Sequence, residues 1–149
     1  MTTQTHPATR TSTASPILFA LSGAVVSAGL TAYGTFKEDN HPGDTTAWLL
    51  VNLPIIAVAT AVIFGTAVRY ALRDGTGVRA ARTALILSVA GVATTVVFYL
   101  GLNAVLAAAA ACCALAARRA AGRWSSITVV ALGLSAAAVG LAIVLAIYG

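Results

Sequence analysis

Four side chains with metal-ligand chemistry stand together in one polar stretch, Lys37-Glu38-Asp39-Asn40-His41-Pro42-Gly43-Asp44. Glu38, Asp39 and Asp44 offer carboxylate oxygens and His41 an imidazole, a donor set suited to a divalent cation. Asn40, Pro42 and Gly43 are turn formers that fix no coordination geometry. With a net charge of −2, the stretch reads as a solvated acidic loop, so we expect no metal and no cofactor here. Cys112 and Cys113 are the only cysteines. Neighbours on a helix point about 100° apart and do not readily bond each other. Thiol-exchange membrane enzymes use Cys-x-x-Cys at the outer face, whereas this pair lies close to Arg118. The two thiols read as small apolar packing groups, with thiol modification or sensing as the sharper alternative. Asn52 and Asn103 are the strongest polar groups near apolar stretches. Asn52 can serve carbonyls freed by Pro54, and Asn103 can cap a helix.

The chemistry that is missing says more. His6 and His41 both lie in polar segments, so no haem-ligand pair forms, and no catalytic triad or phosphate loop is present. Apart from Arg69 at the very end of the second, no Asp, Glu, Lys, Arg or His falls inside any stretch that reads as a membrane span. Intramembrane ionisable groups mark proton relays and ion pathways. Small multidrug transporters of the four-helix type rely on such an acid, and this chain has none. Self-sufficient coupled transport and enzymatic catalysis are therefore not expected.

The elements that carry these residues follow from the charges. Of 149 residues, 59% are hydrophobic and 9% charged, where a soluble domain carries about 25% charged residues. The charges sit at Arg10, Lys37 to Asp44, Arg69 to Arg82 and Arg118 to Arg123. A soluble fold is ruled out because the long stretches between them have no polar surface. The net charge of +5 does not point to nucleic acid. The arginines flank apolar spans, as cytoplasmic loops require, and no aromatic-basic platform accompanies them.

The expected fold is all-α, a polytopic transmembrane helical bundle. Residues 1–15, rich in Thr, form a short disordered cytoplasmic tail. The transmembrane helical domain, 16–149, has spans at about 16–36, 47–70, 83–100, 103–117 and 126–148. The 21 residues of the first reach about 31 Å, the thickness of the hydrocarbon core. That stretch also fits a secretory signal, with Arg10 as its basic region and Val26-Ser27-Ala28 as a cleavage site. Pro54 is expected to kink the second span. Residues 83–117 are uncharged and would make one helix of about 52 Å, too long for one crossing. Gly101 can end one helix and Asn103 start another. Phe98 and Tyr99 would then lie at the outer interface. Arg69, Arg73, Arg79, Arg82, Arg118, Arg119 and Arg123 set the topology: a hairpin returns the last three to the cytoplasm. This favours five helices with the N-terminus cytoplasmic. The alternative has four, with residues 83–117 as one span plus an interfacial segment.

Lipid supplies no hydrophobic drive between helices, so packing needs rows of small residues. Ala20, Gly23, Ala24, Ser27, Ala28, Thr31 and Ala32 form such a face on the first span. Ala57, Ala61 and Gly65 repeat it on the second, Ala84, Ser88, Gly91 and Thr95 on the third, and Gly133, Ala136, Ala137 and Gly140 on the last. The first-span face suits packing within the chain or a homo-oligomer seam. Ala107 to Ala111 makes the fourth helix thin on all sides.

Downstream of Thr83, an apolar hairpin leads into Ala-Leu-Ala-Ala-Arg-Arg-Ala-Ala-Gly-Arg (114–123) and a Gly-rich apolar helix. This part, under half of the chain, is similar to small uncharacterised multi-spanning membrane proteins of high-GC Gram-positive bacteria. The resemblance implies a multi-pass protein of a bacterial plasma membrane and carries over no functional residue. The expected function is that of a non-enzymatic accessory or scaffolding subunit. Its partners would be the lipid bilayer and a homo-oligomer or membrane-protein partner meeting the first-span face. The alternative is a component of a small oligomeric transporter or channel, lined by Ser, Thr and Asn. A reporter joined after Gly149 should be active on the outer face; activity confined to the cytoplasm would refute five spans.

Overall fold

The computed structural model describes residues 14–37, 45–73, 75–97 and 102–148. The acidic stretch with Glu38, Asp39, His41 and Asp44, the first 13 residues, Asp74, and Phe98, Tyr99 and Gly101 lie outside them. All regular structure among the described residues is helical. α1 is Ala14–Lys37. α2 runs over 45–72 in three continuous parts: α-helical Thr45–Val62, π-helical Ile63–Val68, and a last α-turn Arg69–Leu72. α3 is Val78–Val97, α4 is Leu102–Ala121 and α5 is Ser126–Tyr148. α1, α2, α4 and α5 are long and apolar enough to cross a membrane. Residues 83–117 thus form two helices, α3 and α4. At the arginine end α3 begins at Val78 and α4 ends at Ala121, both beyond the expected spans.

α4 is the hub of the bundle. Half of its apolar window is buried (50%), against 11%, 17% and 22% for those of α1, α2 and α5. All four other helices touch it. The reason lies in its composition. Ala104, Ala107, Ala109, Ala110, Cys112, Cys113, Ala114 and Ala117 are all buried, and alanine both favours the helix and lets neighbouring axes come close.

α2 is continuous through Pro54, which is exposed. A second irregularity, a π stretch, lies further on at Ile63–Val68. Inward residues of α2 step by four: Asn52, Ile56 and Thr60 are buried. In an α-helix each such step drifts by about 40°. The wider π turn takes the drift back, so Phe64 packs on the core and Val68 is buried in it. The Thr66 hydroxyl donates to the Val62 carbonyl (2.6 Å), serving a carbonyl that borders the π stretch.

Two glycines at the arginine end hold the turns. Gly122 has φ +66° and its N–H bonds Arg118 O at 2.9 Å, closing α4 with a left-handed cap. Gly77 has φ +73°, and a Cβ there would lie 2.9 Å from Ala120 Cβ and 3.0 Å from Ala117 O. The turn before α3 is therefore pressed onto the end of α4. A Cβ on Gly122 would meet nothing within 4 Å. Gly122→Ala should cost only the left-handed conformation, about 1–2 kcal/mol. Gly77→Ala carries the same cost plus the steric clash. Thermal unfolding in detergent should therefore show a clearly larger loss for Gly77→Ala, and equal losses would refute this packing.

Candidate functional site

Among the described residues, the bundle interior is polar at chosen points and uncharged. The buried polar residues are Ser27, Asn52, Thr60, Ser88, Thr95, Asn103, Thr128 and Ser135. No buried side-chain nitrogen or oxygen lacks a hydrogen-bond partner among the described residues. In a lipid setting each unserved polar group would cost several kcal/mol.

The densest cluster joins α3 to α5. The Ser88 hydroxyl lies 2.7 Å from Ala84 O, 2.8 Å from Ala131 O and 3.0 Å from Ser135 Oγ. Ser135 Oγ is itself 2.8 Å from Ala131 O. Each hydroxyl has one proton, so the pair shares its two protons among these acceptors. A second link joins α3 to α4. Thr95 donates to Gly91 O at 2.8 Å, and Asn103 Nδ2 donates to Thr95 Oγ1 at 3.4 Å. Asn103 Oδ1 accepts the Ala104 N–H at 2.8 Å. Asn103 thus sits one residue inside α4, serving its first turn as well as its neighbour. Asn52 is buried and hydrogen-bonded.

Of the first-span face, Gly23 and Ser27 are buried, while Ala20, Ala24, Ala28, Thr31 and Ala32 are half-buried. Gly23 backs onto α4: a Cβ there would fall 2.8 Å from Ala108 Cβ and 3.3 Å from Val105 Cα. Gly23 and Ser27 are thus turned into the chain, and the half-buried residues flank them. Ser27, in the middle of the signal-like tripeptide Val26-Ser27-Ala28, is fully buried in the bundle. The third-span row, Ala84, Ser88, Gly91 and Thr95, is buried throughout.

The other two rows face outward, contrary to expectation. Ala57, Ala61 and Gly65 on α2 are exposed, as are Gly133, Ala136, Ala137 and Gly140 on α5. A Cβ on Gly65, Gly133 or Gly140 would meet nothing within 4 Å. The rows that face inward are Asn52, Ile56 and Thr60 on α2, and Thr128, Ala131, Ser135 and Ala138 on α5. Sequence reasoning missed Ser135 and Thr128. Their hydroxyls were the available signal, since lipid offers no partner for them. Exposed Ser22 and Thr66 solve the same problem locally, by bonding Phe19 O at 3.0 Å and Val62 O at 2.6 Å within their own helices.

Cys112 and Cys113 are free and buried in the core with Ala109, Ala110 and Ala114. Among the described residues no group of three or more His, Cys, Asp or Glu is placed to hold a metal. The seven arginines all lie at one end of the bundle. Gly77 pins the turn between Arg73 and Arg79 against Ala117 and Ala120, beside Arg118 and Arg119. Arg118 lies over the Trp124 ring at 4.3 Å and Arg79 over Tyr70 at 5.6 Å, cation–π contacts that seat aromatic rings at this level. All seven guanidinium side chains are exposed.

Comparison with protein families, curated proteins and solved structures finds no match. The assignment of function therefore rests on the geometry. Its sharpest internal check is the α1–α4 contact. Gly23→Leu should abolish the folded bundle or sharply lower its unfolding midpoint. Gly29→Leu on the same helix, where a Cβ meets nothing within 4 Å, should be tolerated. Similar losses for both would overturn the placement of α1.

Proposed function

We propose that this chain is a non-enzymatic accessory or scaffolding subunit of a bacterial plasma membrane, with its N-terminus and arginine end in the cytoplasm. The bacterial setting rests on the resemblance carried by residues 114–123. The orientation rests on the seven arginines gathered at one end, since basic loops are retained on the cytoplasmic side. The observation that carries the functional reading is the closed, uncharged interior. Among the described residues every buried polar side-chain atom is hydrogen-bonded within the chain, and no charged side chain is buried. Such an interior holds a shape, with its polar side chains already committed to one another. Activity by contact is what this architecture supports best.

The first-span face expected from sequence packs against α4 at Gly23. Open small-residue surface remains on α2 at Ala57, Ala61 and Gly65 and on α5 at Gly133, Ala137 and Gly140. The alternative, a transporter or channel component lined by Ser, Thr and Asn in an oligomer, finds less support. Ser27, Asn52, Thr60, Ser88, Thr95, Asn103, Thr128 and Ser135 turn inward within one chain.

Purification in a mild detergent, with mass analysis of everything bound, tests the reading. A stoichiometric protein partner or a second copy is expected. Gly65→Leu or Gly133→Leu should remove it while leaving the unfolding midpoint unchanged, because both sites are open within the chain. A lone monomer in every mild detergent would sink the accessory role.

A further inference from the structure

The five helices do not reach equally far from the arginine end. Gly23 sets the level of α1 against α4: a Cβ there would lie 2.8 Å from Ala108 Cβ and 3.3 Å from Val105 Cα. Phe19, one turn earlier, packs on the cluster that holds Ala109 and Cys113, so α1 runs antiparallel to α4. Past this level α4 has only its first few residues left, back to Leu102, whereas α1 continues to Lys37. At about 1.5 Å per residue, α1 rises about 21 Å further and α4 about 5 Å. α2 overhangs in the same way. Val68 and Ala71 share the core cluster with Ala109 and Ala117. From Ala71 back to Thr45 the helix rises roughly 37 Å, against at most about 22 Å from Ala117 to Leu102. α3 and α5 both start from the arginine end and are level where Ser88 meets Ser135 at 3.0 Å. From there α5 outruns α3 by about 6 Å. A relative tilt of up to about 40° trims such differences by roughly a quarter and does not remove them.

The overhanging segments are apolar. Tyr33, Leu50, Val51 and Leu145 are exposed on them, and no charged residue falls within 28–36, 45–68 or 126–149. Side chains of this kind belong in hydrocarbon. The far ends of α3 and α4 therefore lie below the bilayer surface. Their own residues agree. No charge occurs in 83–117. α4 is buried from its second residue, Asn103 to Ala107, while Arg118 to Ala121 at its other end are exposed. Asn103 is bonded through both sides of its amide within the chain, as a polar group away from water must be.

We propose that the α3–α4 hairpin ends inside the leaflet farther from the arginines, and that phospholipid acyl chains fill the recess above Leu102. α1, which adjoins both α2 and α5, walls this recess. Over the shorter α3 it opens sideways to the bilayer. The overhanging side chains already face hydrocarbon, so acyl chains enter the recess without leaving it.

The test puts a single tryptophan at Leu102, a half-buried residue, in the full chain carrying Trp48→Phe and Trp124→Phe. Leu102→Trp is reconstituted in phosphatidylcholine vesicles brominated either near the headgroup or near the chain end, with iodide as the aqueous quencher. Bromine near the chain end should quench more strongly than bromine near the headgroup, and iodide should have little effect. Tyr33→Trp in the same background lies about 9 Å farther out and should show the reverse order. A second measure uses Leu102→Cys with Cys112→Ala and Cys113→Ala. A charged maleimide should modify it roughly tenfold more slowly than Gly75→Cys in the exposed arginine-end turn, since the thiol must meet water to react. Strong iodide quenching of Leu102→Trp, or equal maleimide rates, would put the hairpin end in water and overturn the proposal. Absence of quenching by either brominated lipid would mean that protein fills the recess, which overturns it too.

Discussion

A helix inside a lipid bilayer gains little by leaving lipid for another helix, because both surroundings are apolar. What remains is dispersion, which falls away within a fraction of an ångström of ideal contact. The bundle depends on meeting that distance around α4. Its buried side chains are mainly alanine and cysteine, so its backbone is accessible from several directions. The neighbours answer in kind. Gly23 of α1 lies against Val105 and Ala108, Gly91 of α3 against Leu106, and Gly77 in the turn against Ala117 and Ala120. Three different elements thus place a glycine against the same helix, two of them toward its Asn103 end and one at its arginine end. A bulkier hub would hold its neighbours farther away, and no compensating hydrophobic force would draw them back.

The same constraint explains what could be read in advance. The charge pattern marked five helices, because arginine and acid cannot enter the hydrocarbon at low cost, and the break between α3 and α4 followed from length and from where Arg118 must return. The inward faces were harder to read. On α3 the small row and the polar row coincide: Ala84, Ser88, Gly91 and Thr95 are both, and all are buried. On α2 and α5 the two criteria part company. The glycine-bearing rows face outward, while Asn52 and Thr60, and Thr128 and Ser135, face inward. Small size permits close packing but does not require it. A hydrogen-bonding group in lipid does require a partner, so polarity was the stronger marker. The π stretch at Ile63–Val68 left no plain trace in the sequence. It is a response to how inward positions four apart drift around α2, visible only once the other helices are in place.

Polarity and charge are also sorted along the bundle axis. Hydroxyl and amide groups tie helix to helix in the interior, as Ser88 does to Ser135 and Asn103 to Thr95. Guanidinium groups are excluded to one end, where Trp124 and Tyr70 lie under Arg118 and Arg79. The interior bonds are of the neutral kind, worth about 1 kcal/mol each in membranes. They act as register marks, since a helix slipped by one residue would leave hydroxyls unserved.

An interior of this sort has consequences for what the chain can do. Ser88, Ser135 and the Ala131 carbonyl share two protons among themselves, and Asn103 is engaged on both sides of its amide. A group already bonded can bind a passing ion or substrate only by giving up a partner, which in lipid costs several kcal/mol. The thiols of Cys112 and Cys113 are enclosed by alanines of the same core, so a reagent would have to part α4 from its neighbours to reach them. The groups that can meet another molecule without such a cost lie outside: the lipid-facing sides of α2 and α5, and the arginine end. The fold has spent its polar side chains on holding five helices together, which moves the search for its activity from the core to those outer faces.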